Sequence, residues 1–348
     1  MKTYKNILIV RTDRIGDVLL TTPAIAALRK HFSSARISIL VSPATREIVE
    51  GNPHIDEVMV DDRKGGHRGL LGFWKLVFEI KKRKFDLAIV FHTKKRTNFL
   101  CYHAGIPERI GYRNNKCGFL LTKQIEDLRP QGTTHEVQYC LDVVKHLGVV
   151  GGDLKLFMPL KPESDQWAKK AFKDFGIQEG SPVVAVHPGA SCISKRWPAE
   201  RFAELIRMMP EDVRIVLVGS QENSQIASQI QFSTKKPILD LIGKASLSQL
   251  AGVLRRCRLL ISNDSGPVHV AVAVETPVIS IFGRNQAGLS PARWRPLGPK
   301  DVVIHKEVGC EVCLAHNCII DFECLKAVSP EEVLKTAQPF LTSTVSSV

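Results

Sequence analysis

The chain has 348 residues, more than one hydrophobic core usually serves, so two domains of ordinary size are expected. Hydrophobic residues at 44% and charged residues at 24% exclude a disordered, collagen-like or coiled-coil chain. Lys and Arg outnumber Asp and Glu by 48 to 35, and a net charge of +13 favours polyanionic partners: nucleic acid, anionic lipid or a phosphorylated glycan.

The first apolar run, Ile7-Leu8-Ile9-Val10, is too short for a signal-peptide core or a membrane span, and no later run reaches spanning length. A cytoplasmic protein is expected. Residues 6–12 read as a buried strand, 17–31 as a helix, 36–41 as a strand, 45–50 as a short helix and 58–60 as a third strand. A Gly-rich basic loop at 64–69 leads to a helix over 73–82 and a strand over 85–91. This alternation implies a parallel sheet with helices on both faces. Positive charge gathers in the same half: Lys81-Lys82-Arg83-Lys84, Lys94-Lys95-Arg96, then Arg109, Arg113, Lys116 and Lys123. Such clustering reads as a surface for an anionic partner.

Residues 148–162 form a Gly- and Pro-containing linker, after which the pattern restarts. Helices are expected over 164–175, 199–208, 224–231, 246–255 and 268–274, and strands over 182–186, 213–218, 259–262 and 278–282. Two α/β domains follow, with ligand sites at the carboxyl ends of the strands. No G-x-G-x-x-G follows the first strand and no G-x-x-x-x-G-K-[ST] occurs, which argues against a dinucleotide dehydrogenase and a P-loop NTPase.

Four strand-to-helix turns carry residues suited to chemistry. Gly16-Asp17 places a carboxylate beside a close-approach glycine. As a simple helix N-cap, Asp17 would need no further role, and a helix N-terminus would lower its pKa. His187-Pro188-Gly189, followed by Lys195-Arg196-Trp197-Pro198, sets backbone amides and cations where a diphosphate fits. Glu222, after Val218-Gly219-Ser220, suits either a ribose diol or the helix dipole. Asn263-Asp264-Ser265-Gly266-Pro267-Val268-His269 joins a buried strand to a helix start, a ready anion site. Ser265 adds a hydroxyl, and His269 falls in the first helical turn. Near the C-terminus, Cys310, Cys313, Cys318 and Cys324 present a candidate structural zinc site, with reduced thiols or disulfides as the alternatives.

Together these blocks resemble the heptosyltransferases, glycosyltransferase family 9. The resemblance lies in Ile7 to Arg11 with Gly16-Asp17-Val18-Leu19-Leu20-Thr21-Thr22-Pro23, in Asn52-Pro53-His54-Ile55-Asp56, and in His187-Pro188-Gly189-Ala190 with Lys195 to Pro198. It continues through Asn263 to His269, Pro277, Phe282-Gly283 and the cysteine block. What it implies is a GT-B fold: α/β, two Rossmann-like domains facing across a cleft. Residues 1–160 would bind the acceptor and 161–327 the ADP-sugar, and a helix within 328–348 would cross back to the first domain.

The implied reaction is inverting transfer of heptose from ADP-L-glycero-D-manno-heptose to the lipopolysaccharide inner core, without a catalytic metal or cofactor. Asp17 would be the general base. His187, Gly189, Lys195, Glu222, Asp264, Ser265, Gly266 and His269 would hold the donor. Arg11, Gly16, Thr21 and Arg113 would meet the acceptor. The partners would be the ADP-sugar and the anionic lipopolysaccharide core, with peripheral association at the cytoplasmic face of the inner membrane and no nucleic acid. Three rival readings are a family member with another donor or acceptor, a GT-B sugar-nucleotide epimerase, and a nucleic-acid-binding protein with a Cys₄ zinc module. The last leaves the turn motifs of both domains without a role.

Overall fold

A computed structural model describes residues 2–342, and the chain divides between Pro159 and Leu160 into two compact units. In the first, the apolar runs become β1 (Asn6–Val10), β2 (Arg36–Val41), β3 (Glu57–Val60) and β4 (Leu87–Val90), followed by β5 (Glu108–Tyr112) and β6 (Lys123–Ile125). All pair in parallel, in the order β3-β2-β1-β4-β5-β6. Ile7, Leu8, Ile9 and Val10 are fully buried, as a central strand covered on both faces requires.

The second unit repeats the plan with β7 (Val183–His187), β8 (Arg214–Leu217), β9 (Ile238–Asp240), β10 (Leu259–Asn263), β11 (Val278–Phe282) and β12 (Val302–His305). Its parallel order is β12-β11-β10-β7-β8-β9. In each sheet the sequence of strands reverses beside the first strand of the unit, between β1 and β4 and between β7 and β10. Open α/β sheets bind ligands at such a reversal, outside the strand carboxyl ends.

The helix read over 17–31 is two helices, Ile15–Leu19 and Thr22–His31, because Pro23 belongs to the first turn of the second. The terminal helix, for which a crossing to the first unit is expected, spans Pro330–Thr342; it packs on the helix Ala199–Met208 and sinks Val333, Ala337 and Leu341 into the second unit's core. Its apolar spacing matches the stripe offered by Phe202, Leu205 and Ile206. Residues 343–348 of that expectation lie outside the described residues.

Trp197 links this core to the reversal point. Its ring is buried against Phe202 at 4.8 Å between centroids, its Nε1 donates to the Val328 carbonyl at 3.0 Å, and its backbone N–H donates to Asn263 Oδ1 at 2.9 Å. Trp197→Ala is expected to cost the second unit about 3–5 kcal/mol. Urea denaturation followed by circular dichroism measures the loss, and an unchanged midpoint would remove Trp197 from this structural role.

Candidate functional site

At the end of β1 the chain places Arg11, a guanidinium with 1% side-chain exposure. Its NH2 nitrogen donates to Asp17 Oδ1 at 2.8 Å and to Glu136 Oε1 at 2.9 Å, its Nε lies 3.5 Å from Asp13, and NH1 donates to the Phe91 carbonyl. Lys94 pairs with Asp13 and donates to the Thr12 carbonyl at 3.0 Å. Two cations therefore face three carboxylates, one of them the fully buried Glu136. His92, following β4, meets Thr12 Oγ1 at 3.1 Å. Burial brings its pKa down to about 4, so it is neutral at physiological pH. Asp13 is held below the usual carboxylate range, because His92, Arg11 and Lys94 outweigh its burial.

Asp17 behaves oppositely. Burial raises its pKa; Arg11 opposes this, while Asp13 and Glu136 reinforce it. The expected lowering by the helix N-terminus reduces to one hydrogen bond, from the Arg14 backbone N–H to Oδ2 at 3.3 Å, and burial overrides it. Asp17 is also not the N-cap. Arg14 holds that position, and Asp17 sits in the first turn of Ile15–Leu19, with 20% of its side chain still exposed. A carboxylate both reachable and pushed toward higher pKa is suited to accept a proton.

Two residues expected at an acceptor face inward instead. Arg11 is spent on its carboxylates, and Thr21 is buried with its hydroxyl donating to the Asp17 carbonyl at 2.8 Å. Gly16 is buried within Ile15–Leu19. Arg113 is exposed just beyond β5.

The second unit assembles a site of the opposite sign. Asp264, following β10, receives Lys195 Nζ at 2.7 Å and Arg284 NH2 at 3.1 Å on the same Oδ2, which leaves one cation in excess. The helix Gly266–Ala273 begins two residues on, with Ser265, Gly266 and Pro267 half-buried. Its amides and dipole add positive potential at that point. The Ser265 hydroxyl is directed elsewhere than expected: it meets His187 Nδ1 and Ser262 Oγ, each at 3.0 Å. His187 is buried and, by burial, has a pKa of about 4. It thus serves as a neutral strut between β7 and the helix start.

Asn263 ties the turns together, donating to the Pro188 carbonyl at 2.8 Å. Gly189 is needed for contact: a Cβ there would lie 2.4 Å from the side chain of Asn223. Glu222 is exposed beyond β8, and His269 is buried in the first turn of its helix. Sequence reasoning missed His92, Lys94, Glu136 and Arg284. Only Arg284 had a signal, directly after the quoted Phe282-Gly283.

The candidate zinc site is not assembled among the described residues. Among the described residues no three His, Cys, Asp or Glu converge to hold a metal ion, and the cysteines are free thiols. Cys310 is exposed, and the other three of the block meet backbone groups separately. Cys324 donates to the Gly283 carbonyl at 2.8 Å, Cys313 accepts from Asn285 at 3.4 Å and Cys318 from Phe322 at 3.3 Å.

The family model described as glycosyltransferase family 9 (heptosyltransferase) matches residues 73–322. Lipopolysaccharide heptosyltransferase 2 of Escherichia coli K12 is 24% identical over 312 residues, 87% of this chain and 88% of that protein. The crystal structure of the glycosyl transferase family 9 protein from Veillonella parvula DSM 2008 superposes with a TM-score of 0.88 at 27% identity, covering 98% of each chain. That of E. coli ADP-heptose lipopolysaccharide heptosyltransferase II gives 0.78 at 20% identity over 97% and 98%, a likeness of fold.

Because Asp17 has a folded-state pKa above its ordinary value, its stability contribution is complete below the unfolded pKa and is lost as pH rises through the folded one. Asp17→Asn is therefore expected to be at least as stable as the parent at pH 7, by thermal melting. Glu136→Gln is expected to lower the Asp17 pKa, since Arg11 then has one carboxylate fewer to share. A carboxyl NMR titration read against Asp17→Asn measures this, and an unmoved Asp17 would show that Glu136 does not act on it.

Proposed function

The chain belongs to glycosyltransferase family 9, the heptosyltransferases, and from that premise we propose that it transfers heptose from ADP-L-glycero-D-manno-heptose to the inner core of lipopolysaccharide by single displacement with inversion. The acceptor hydroxyl oxygen attacks the anomeric carbon as the bond from that carbon to the diphosphate breaks. The hydroxyl proton goes to Asp17, and ADP leaves with the bonding electron pair. The observation that carries this reading is the contrast between the two reversal points: an anion-rich cluster with a raised carboxyl in one unit, and an excess cation at a helix start in the other.

Asp17 is the general base, and its environment suits the task. A base near the ordinary Asp value accepts a hydroxyl proton poorly, and burial corrects this in the right direction. Lys195, Arg284 and the amides at Ser265-Gly266 face the charge that develops on the departing diphosphate, which supplies electrostatic stabilisation from the chain itself. Glu222, exposed beyond β8, holds the ribose diol, and Gly189 keeps the turn flat against the donor. Asp264 does not lie free beside the sugar; it orients Lys195 and Arg284 for the diphosphate. His187 and His269 shape the donor side from within. Arg113 provides an exposed cation for the phosphates and acidic sugars of the core, in place of the buried Arg11. Such an acceptor is lipid-borne, so the enzyme works in peripheral contact with the cytoplasmic face of the inner membrane. Among the described residues no helix is long and apolar enough to cross a membrane.

Heptose transfer from ADP-heptose to purified truncated lipopolysaccharides tests the proposal. Wild-type transfer is expected to survive EDTA. Asp17→Asn is expected to lower kcat about 10²- to 10⁴-fold with little change in donor KM, and Lys195→Ala about 10²- to 10³-fold. The acid limb of the pH profile is expected above the ordinary Asp range, because Asp17 must be deprotonated and its pKa is raised. Folded protein that transfers heptose to no core acceptor would remove lipopolysaccharide from the proposal, and an active Asp17→Asn would remove the base.

A further inference from the structure

The helix Gly69–Lys82 is apolar on both sides. Its inner face buries Leu76, Val77 and Ile80 in the first unit's core. Its outer face carries Leu70 at 80% exposure, Leu71 at 89%, Trp74 at 42% and Phe78 at 58%. At about 100° per residue these four fall within an arc of roughly 100°, so they form one stripe. Neighbouring elements extend it: Tyr102, on the helix Lys95–His103, is 48% exposed, and Phe119 beyond it is 76% exposed. A helix apolar all round is normally buried all round, and a contiguous exposed apolar stripe marks an interaction surface.

Charge decides the occupant. Between residues 63 and 84 there are eight Lys and Arg against one acidic residue, Glu79. Lys75, Lys81 and Lys82 are exposed on the same helix, and Arg63, Lys64, Arg68 and Lys84 are exposed at its two ends. Glu79 turns toward His67, 3.7 Å away, and leaves the outer face without a carboxylate. A second copy of this chain would set one positive rim against another, which opposes self-association through this face. A surface of anionic headgroups over hydrocarbon matches both parts at once. The lysines reach the headgroups while Trp74, Phe78 and the leucines enter the acyl boundary.

We propose that the outer face of Gly69–Lys82 is the surface by which this enzyme docks, in the membrane plane, on an anionic bilayer. The inference rests on the reading that the acceptor is lipid-borne, and it assigns that contact to one helix.

The test is co-sedimentation of full-length protein with vesicles of phosphatidylcholine alone or containing phosphatidylglycerol. Wild type is expected to bind the anionic vesicles at least tenfold more tightly than the neutral ones, and to lose that preference in high salt. Trp74 emission is expected to shift to the blue on binding, a change absent from Trp74→Phe. L71S/F78S and K81Q/K82Q are each expected to lower binding at least tenfold while keeping the wild-type melting temperature, since all four side chains are exposed. L71S/F78S should still transfer heptose to a lipid-free core acceptor and lose transfer to acceptor embedded in vesicles. Wild type that ignores anionic vesicles, or an L71S/F78S protein that binds them equally well, would overturn the proposal. So would a wild-type dimer, by light scattering, that L71S/F78S converts to monomer. Failure of wild type on the lipid-free acceptor would count against the acceptor reading alone, because vesicle binding decides the docking surface independently.

Discussion

A parallel strand covered by helices on both faces has no room for charge along its length, so charge collects where the strand ends. That constraint acts twice in this chain. Both sheets run in the same order, and both reverse beside the first strand of their unit. At each reversal the ends of two adjacent strands leave polar groups next to one another: Arg11 and Asp13 after β1 with His92 and Lys94 after β4, and His187 at the end of β7 with Ser265 after β10. The architecture therefore fixes where reactive groups stand before it fixes what they are. The two units differ in sign. Two cations face three carboxylates in the first, whereas two cations share one carboxylate in the second. The proposed proton acceptor suits the former, and the proposed departing diphosphate the latter.

Arg11 sets the properties of the first site. A fully buried guanidinium requires anionic partners, because desolvating an unpaired charge is strongly unfavourable. Had Asp17 been its sole partner, the pair would have held Asp17 ionised and weakly basic. Protonating Asp17 would also have stranded the cation. Sharing Arg11 among Asp13, Asp17 and Glu136 resolves this. When Asp17 takes up a proton, two carboxylates still balance the guanidinium. The same sharing lifts the Asp17 pKa, since each additional anion disfavours its ionised form.

The long buried strands were legible in the sequence because continuous Ile, Leu and Val runs have few other uses. The short strands were not. β6 is Lys-Gln-Ile and β9 is Ile-Leu-Asp, outer strands with too few residues to show a period. Turn glycines and the Asp and Lys of the quoted blocks marked the sites, but their partners were invisible. Glu136 lies 125 residues from Arg11 and belongs to no motif, so only folding brings it there. Lys94 was hidden in a basic run that read as a surface for an anionic partner, not as part of a site with Asp13. The cysteine spacing offered metal ligation as one reading, yet spacing does not report coordination geometry, and Cys313, Cys318 and Cys324 meet backbone groups. The helix read as starting at Phe73 begins at Gly69, which is why Leu70 and Leu71 were not seen to share its outer face.

The excess of +13 is unevenly placed, and the unevenness bears on how an anionic acceptor is oriented. The proposed reaction would require a neutral hydroxyl at Asp17, inside a cluster with one more anion than cations. A phosphate or acidic sugar is repelled from that position and attracted to the exposed cations elsewhere on the same unit, among them Lys95, Arg113 and Lys116. Both effects turn the acceptor the same way, with charged groups kept at the periphery and a hydroxyl presented to the base. Under the proposed reaction, basic residues in this half of the chain would act by excluding wrong orientations as well as by raising affinity. A uniformly positive site would bind the core more strongly and present the wrong atom.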